Sequence, residues 1–245
     1  MLYANGFGVK RNYNLAINYA CIQRYPESGF AVDVMIEELL RRNKSGSEEQ
    51  LDLCDFAGTT FAISYCISMK EGQKEKARIR RLGEIRISMD GRQKAFFDKL
   101  REAAQDFASS SSRNEVDQLG SGRAGFVIDA EAELKESFLD DIEKCEQGVF
   151  PEYTLVQFTA FDKQLNKTYQ AIMHTQTEAG SDRLFSTDIT KSGIKEAQRT
   201  WLKFRDAWVK YGEARYPNVP THTWKAMLTE RRVKKLEGLL NSDPP

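Results

Sequence analysis

The sequence has no long apolar run, few prolines and histidines, and no excess of charge of either sign. No stretch of 18 or more apolar residues occurs, which argues against a membrane-spanning helix. With 6 prolines and 16 glycines in 245 residues, the chain is neither collagen-like nor of low complexity. Because 36 Lys and Arg residues balance 36 Asp and Glu residues, nucleic-acid binding is not expected to be its main function.

The sequence also lacks the short motifs that mark common active sites. It contains no HExxH, no G-x-S-x-G, no phosphate-binding loop with its lysine, and no GxGxxG after a strand. The two histidines, His174 and His222, lie far apart, and no two cysteines lie within four residues of each other. Neither a catalytic triad nor a metal site is therefore expected. We predict a protein that is not an enzyme and has no cofactor.

Four cysteines are present, and an even number allows complete pairing with three connectivities. Cys54 and Cys66 would close a short loop with Gly58-Thr59-Thr60 at its centre, a sequence suited to a tight turn. Cys21 and Cys145 would then pair over a long range. The alternative is four buried, reduced thiols, as in many cytoplasmic proteins. The cysteines alone leave both interpretations open.

Apolar residues recur at the spacing of one helix face along most of the chain. No segment alternates with a period of two for long enough to predict a strand. We predict an all-α fold, a helical bundle with long antiparallel helices, in which the polar tract at 109–114 connects two of them. The predicted helices cover residues 12–24, 31–42, 61–107, 115–147, 152–176, 190–213 and 221–240.

Acidic residues are concentrated at 129–146, here called the acidic segment, where eight carboxylates accompany two lysines. The last helices are rich in lysine and arginine instead. One interpretation is that solvated helix faces form internal salt bridges. The other is an acidic surface that attracts a cationic partner.

The N-terminal segment 2–21 reads LYANGFGVKRNYNLAINYAC. It resembles the second half of a Sel-like repeat, a relative of the tetratricopeptide repeat, and implies a partial helical-repeat hairpin. Gly6 and Gly8 would supply the turn, and Tyr13 and Ala16 would begin the second helix. Repeats of this kind bury their apolar faces against neighbours. We therefore expect either that this hairpin docks on the rest of the chain or that a longer natural protein extends upstream.

Three motifs follow in the last third of the chain: DKQLNKTY at 162–169, AQRTWLKFRD at 197–206 and TERRVKKL at 229–236. Together they resemble the LprI family, named for a lysozyme-inhibitor lipoprotein, over about 152–240. The resemblance implies a small helical module in which the motif residues hold the helices together, with Arg205 and Asp206 bonding to Asp162 or Asn166. The motif residues are Asp162, Leu165, Asn166, Tyr169, Gln198, Arg199, Trp201, Arg205, Asp206, Thr229 and Arg232.

The two resemblances divide the chain into three predicted regions. Residues 1–42 form the partial Sel-like segment, 43–150 a region of long antiparallel helices, and 151–245 the LprI-like module. The region around Cys54 and Cys66 also resembles longer members of the LprI family, which favours disulfides and a periplasmic or secreted location. Reduced cysteines would instead indicate the cytoplasm.

The LprI resemblance implies a non-enzymatic bacterial cell-envelope binding protein that inhibits a lysozyme-like muramidase by occlusion. Such an inhibitor needs a protruding loop or helix end that blocks a cleft, and an acidic surface that attracts a cationic enzyme. We expect Asp140, Asp141 and Glu143 to be the acidic contacts. The alternative is a structural or adaptor protein of an envelope or secretion assembly.

Overall fold

The computed structural model describes residues 1–22, 29–177 and 180–241. These ranges contain nine α-helices, a short 3-10 helix and no strand, so the all-α prediction is confirmed. The last two residues of the predicted helix 12–24 lie outside the described ranges. The helices are α1 Leu2–Asn5, α2 Tyr13–Ile22, α3 Val32–Ser45, α4 Thr60–Ile87, α5 Gly91–Asn114, α6 Arg123–Glu146, α7 Leu155–His174, α8 Lys191–Arg215 and α9 Thr221–Leu240.

The predicted helix 61–107 is two helices, α4 and α5. Helical structure stops at 88–90, and α5 begins with a strong N-terminal cap. Asp90 accepts a hydrogen bond from the backbone of Gln93, whose side chain bonds back to the Asp90 backbone. The tract at 109–114 was predicted to connect two helices, and this prediction is wrong. It forms the C-terminal end of α5. Ser111 and Ser112 are buried there, and their hydroxyls donate to Glu115 and to the Ser109 carbonyl, which satisfies them inside a helix.

The chain forms two compact units, Met1–Gly72 and Gln73–Pro245. In the first unit, α1, α2, α3 and the 3-10 helix Leu53–Phe56 surround one apolar core. Buried Asn5 crosslinks this core, because its side-chain amide both donates to and accepts from the backbone of Leu51 (2.9 and 2.7 Å). The division into 1–42, 43–150 and 151–245 stays a prediction.

One of the two expected disulfides is present. Cys54 and Cys66 are bonded, with their Cα atoms 5.7 Å apart, and tie the 3-10 helix to α4. The expected pair of Cys21 with Cys145 is wrong, since both are free cysteines. Cys21 is exposed on α2, whereas Cys145 is buried in the core of the second unit. That burial, reinforced by the nearby carboxylates of Asp141 and Glu146, raises the pKa of the Cys145 thiol to about 12.

The second unit is a bundle built around α5 and α8, which pack along each other. α6 packs on α5, while α9 packs on α7 and α8. Its core is rich in aromatic rings because α8 places Trp201, Phe204 and Trp208 on one buried face, at spacings of three and four residues. All three tryptophans of the protein, including Trp224 of α9, are buried in this unit.

At Gly212, α8 lies very close to the Trp224 side chain of α9. A methyl group at Gly212 would lie 2.5 Å from Nε1 of Trp224, a rigid and buried ring. Gly212→Ala is therefore expected to lower the free energy of unfolding by about 1–3 kcal/mol, measured by urea titration. Gly83→Ala on α4 is the control, because its methyl group meets no atom within 4 Å, and it should stabilise by up to about 1 kcal/mol. Equal effects of the two changes would contradict this packing.

Candidate functional site

The first cluster of motif residues is a buried ion pair between α9 and the end of α5. Both terminal nitrogens of the Arg232 guanidinium donate to the Glu115 carboxylate (2.8 and 2.6 Å), and its Nε donates to Oε1 of Gln198 (2.7 Å). The two charged side chains are 1% and 0% exposed. Sequence reasoning missed Glu115, which belongs to no motif and carries no signal of burial. The motif residues Gln198 and Arg232 thus contact each other, and Arg232 also pairs with a carboxylate from outside the module.

A second cluster surrounds Arg205 on α8. Its guanidinium carbon lies 5.0 Å from the ring centroid of Trp201, a cation–π contact. Its nitrogens lie 3.9 Å from Asp162 and 3.6 Å from Asp206, which are ion-pair distances and longer than good hydrogen bonds. Asn166 donates to the backbone carbonyl of Asp162 (2.9 Å). The contact between the first and second motifs is therefore the long ion pair of Arg205 with Asp162, while the Trp201 contact lies within α8.

The other motif residues occupy two kinds of position. Leu165 and Thr229 are buried, and Tyr169 is half-buried against the core. Three motif residues are exposed: Asn166, Arg199 and Asp206. Most of the motif side chains are therefore buried or half-buried, and the structural role that the resemblance implies for them stays a prediction.

Most carboxylates of the acidic segment are engaged within the protein. Five of the eight form ion pairs, four of them with arginines of other helices. Among the residues that the structure describes, Asp129, Glu133 and Asp140 are exposed and have no ion-pair partner. Internal salt bridges thus account for most of the segment. The pairs are Glu131 with Lys135, Glu136 with Arg78, Asp141 with Arg231, Glu143 with Arg81, and Glu146 with Arg215.

The three expected acidic contacts differ in their accessibility. Asp140 is exposed and has no ion-pair partner among the described residues. Asp141 is buried and held by both terminal nitrogens of Arg231. Glu143 is half-buried and paired with Arg81. A partner that binds here would meet Asp140 as a free charge and the other two as neutralised pairs.

The loop after the acidic segment, residues 147–154, is here called the α6–α7 loop. It is pinned at its start by Glu146, which accepts hydrogen bonds from Nε and a terminal nitrogen of Arg215 (3.0 and 2.7 Å) and from the Tyr216 hydroxyl (2.6 Å). Burial raises the pKa of Glu146, but the bonds from Arg215 and Tyr216 outweigh it and leave the pKa below its usual value. The carboxylate is therefore a stable anchor at neutral pH.

Two aromatic side chains anchor the rest of this loop. The Phe150 ring packs edge-on against Tyr216 and Trp224, with centroids 5.2 and 6.2 Å away. The Tyr153 hydroxyl donates to Glu230 (2.6 Å); burial and this bond raise its pKa to about 12. Thr154 then caps α7. The sequence analysis predicted that Tyr153 and Thr154 lie inside a helix. The capping box of Thr154 and Gln157 shows instead that α7 starts at Leu155.

Apolar side chains are exposed within the α6–α7 loop and on the first turn of α7. Val149, Leu155 and Val156, here called the apolar edge, are all more than half exposed, and Glu152 between them is exposed as well. One of these exposed apolar residues lies in the loop and two lie at the start of α7.

The comparisons with known proteins agree with one part of the sequence analysis. No curated protein and no solved structure matches this chain. In the described ranges, no helix is long and apolar enough to cross a membrane, and no His, Cys, Asp and Glu side chains gather in a group able to hold a metal ion. The Sel-like resemblance at 2–21 stays a prediction. Residues 153–236, about a third of the chain and spanning α7, α8 and α9, match the model of a family described as lysozyme inhibitor LprI.

Proposed function

We propose that this chain is a non-enzymatic bacterial cell-envelope protein that binds a lysozyme-like muramidase and blocks its substrate cleft. The observation that carries the proposal is the match of residues 153–236 to the lysozyme inhibitor LprI family. The disulfide between Cys54 and Cys66 supports a periplasmic or secreted location, because such bonds persist in oxidising compartments.

The α6–α7 loop is the proposed occluding element. Anchors on both sides, Glu146 and Tyr153, hold it in one conformation before any partner arrives. Binding by a pre-organised loop loses less conformational entropy than binding by a flexible one. The apolar edge supplies side chains that can be desolvated in a cleft, and the burial of apolar surface is favourable in proportion to its area.

Acidic residues near this loop would assist the approach of a cationic enzyme. Asp140 and Glu152 are exposed, so their fields reach solvent. Asp141 and Glu143 remain in the proposed contact surface, but their arginine partners reduce their contribution. Charges at the rim of an interface act mainly on the association rate, and salt screens them. We therefore assign affinity to the apolar edge and steering to Asp140.

The test is a muramidase assay that follows the clearing of a cell-wall suspension by turbidity. The full chain is expected to inhibit at near-stoichiometric concentration, and Val156→Asp should weaken inhibition at least about tenfold by placing a charge in the desolvated contact. The matched control is Ile87→Asp, because Ile87 at the end of α4 is 76% exposed and Val156 is 78% exposed. Unchanged muramidase activity at a large molar excess of the chain would refute the proposal, and equal losses in both variants would refute the assignment of the loop.

An adaptor function is the second candidate, and one observation favours it. Leu15, Tyr19 and Ile22 of α2 are exposed at spacings of four and three residues, which forms an apolar stripe suited to a partner helix. Leu15→Asp with Tyr19→Asp would then abolish a purified complex with a defined envelope partner. The same variant should leave muramidase inhibition unchanged if the α6–α7 loop performs it.

A further inference from the structure

A cavity of about 320 Å³ lies within the second unit, between α6 and α9. These two helices form opposite walls, because α6 packs on α5 while α9 packs on α7 and α8. Phe107 of α5 and Trp201 and Phe204 of α8 lie between the walls as a floor. The volume is at the lower end of the range for small-molecule pockets, about 300–1,000 Å³, and clefts between the helices of a bundle are a common place for them.

The interior of the cavity is apolar. Phe138 and Leu134 complete one wall and Leu228 the other, and nine of the sixteen lining residues are apolar. A sugar needs many hydrogen-bonding partners, so this lining disfavours a saccharide. It suits an aliphatic chain, whose burial against aromatic and leucine side chains is favourable in proportion to its area. The volume equals that of about ten water molecules at about 30 Å³ each, which limits the ligand to roughly ten non-hydrogen atoms.

Charged residues line the cavity on the α9 side and at its opening. Arg232 is fully engaged by Glu115 and Gln198, and Arg231 is bound to Asp141, so that this second ion pair joins the α9 wall to the α6 wall. Lys235 follows Arg231 by one helical turn and is exposed. Within the ranges that the structure describes, Lys235 has neither an ion pair nor a side-chain hydrogen bond. On the α6 wall, Glu133 is likewise exposed and unpaired there.

We propose that this cavity binds a medium-chain carboxylate, with its alkyl chain on the aromatic floor and its carboxylate against Lys235. Lys235 offers donors to an anionic head group on the α9 side. A cationic head group would meet the positive charge of Lys235 there, because Arg231 and Asp141 neutralise each other. Glu133 lies on the opposite wall, and solvent screens the repulsion between its carboxylate and that of the ligand.

Octanoate, which has ten non-hydrogen atoms, is the probe. Isothermal titration of the full chain is expected to give one site with a Kd between about 10 μM and 1 mM, as suits so small a ligand. Octylammonium should bind at least about tenfold more weakly. Absence of octanoate binding, or equal binding of octylammonium, would overturn the proposal.

Four variants locate the site. Lys235→Gln should weaken octanoate binding about tenfold, whereas Lys234→Gln should not, because Lys234 pairs with Glu230 and does not line the cavity. Glu133→Gln should leave binding unchanged or tighten it. Ala130→Phe places a ring in the cavity from the α6 wall and should abolish binding while circular dichroism remains native. Loss of affinity in Lys234→Gln equal to that in Lys235→Gln, or full affinity in a folded Ala130→Phe variant, would show that octanoate binds elsewhere.

Discussion

Arg232→Met is expected to lower the free energy of unfolding of the second unit by about 3–5 kcal/mol. The substitution leaves the Glu115 carboxylate 0% exposed, with the Ser111 hydroxyl as its remaining hydrogen-bond donor among the described residues. An uncompensated buried charge loses its hydration without gaining an equivalent partner. Urea titration followed by tryptophan fluorescence measures the effect directly, since all three tryptophans are buried in this unit.

Two comparison variants distinguish the loss of the ion pair between Arg232 and Glu115 from a simple loss of packing. Glu115→Leu combined with Arg232→Met removes both charges and should recover most of the stability that Arg232→Met loses. Lys234→Met breaks an exposed pair with Glu230 one turn away, and its effect should stay below about 0.5 kcal/mol. A double variant that is no more stable than Arg232→Met alone would show that the guanidinium contributes through packing on Phe107, not through its charge.

The last three helices could be predicted well from the sequence, because each buries a stripe whose spacing is visible locally, whereas the helix predicted from 115 begins only at Arg123. α7, α8 and α9 begin and end within about three residues of the predicted ranges. The break at 88–90 was not predicted, since apolar residues continue at helical spacing on both sides of it. Its cause is the capping box of Asp90 and Gln93, a signal present in the sequence but weaker than the periodicity.

Pairing between distant residues was much less predictable. The short loop between Cys54 and Cys66 led to the correct bridge, whereas Cys21 and Cys145 were paired by elimination, which assumes that every cysteine is oxidised. The acidic segment shows the same difficulty. Its partners lie on other helices, so the sequence could not show that Asp141 is buried against Arg231 while Asp140 is exposed.

The sequence indicated which helices form the LprI-like module, but not which surface of it forms the candidate site. The LprI-like motifs identified the helices that form the module, and most motif side chains are buried or half-buried. The α6–α7 loop was not singled out, because its role depends on Phe150 and Tyr153 reaching side chains of α8 and α9. Those contacts join residues about 65 to 80 positions apart, a range at which periodicity carries no information.

Trp208→Ala is expected to lower the free energy of unfolding by about 3–5 kcal/mol, because it opens a large cavity at the centre of the aromatic core. The Trp208 ring lies with its centroid 5.6 Å from Phe138, 6.0 Å from Phe204 and 6.3 Å from Trp224. Trp208 thereby connects α6, α8 and α9. Circular dichroism during urea titration measures the loss without depending on the removed fluorophore.

Trp208→Phe distinguishes packing from hydrogen bonding at the same position. Nε1 of Trp208 is buried and has no hydrogen-bond partner among the described residues, so replacing the indole removes an unsatisfied donor together with some volume. We expect a loss of about 1–2 kcal/mol, well below that of Trp208→Ala. Equal losses would indicate that the indole N–H has a partner and that the site is polar.

The same substitution connects the core to the α6–α7 loop. Trp224, which Trp208 supports, also packs against Phe150, an anchor in the middle of that loop. Loosening Trp224 should therefore increase amide hydrogen exchange at 147–154 in Trp208→Ala more than in Trp208→Phe. Because occlusion by a rigid loop depends on its pre-organisation, muramidase inhibition should weaken in the same order at temperatures where both variants stay folded. Unaltered exchange in the loop of Trp208→Ala would mean that Glu146 and Tyr153 alone hold it.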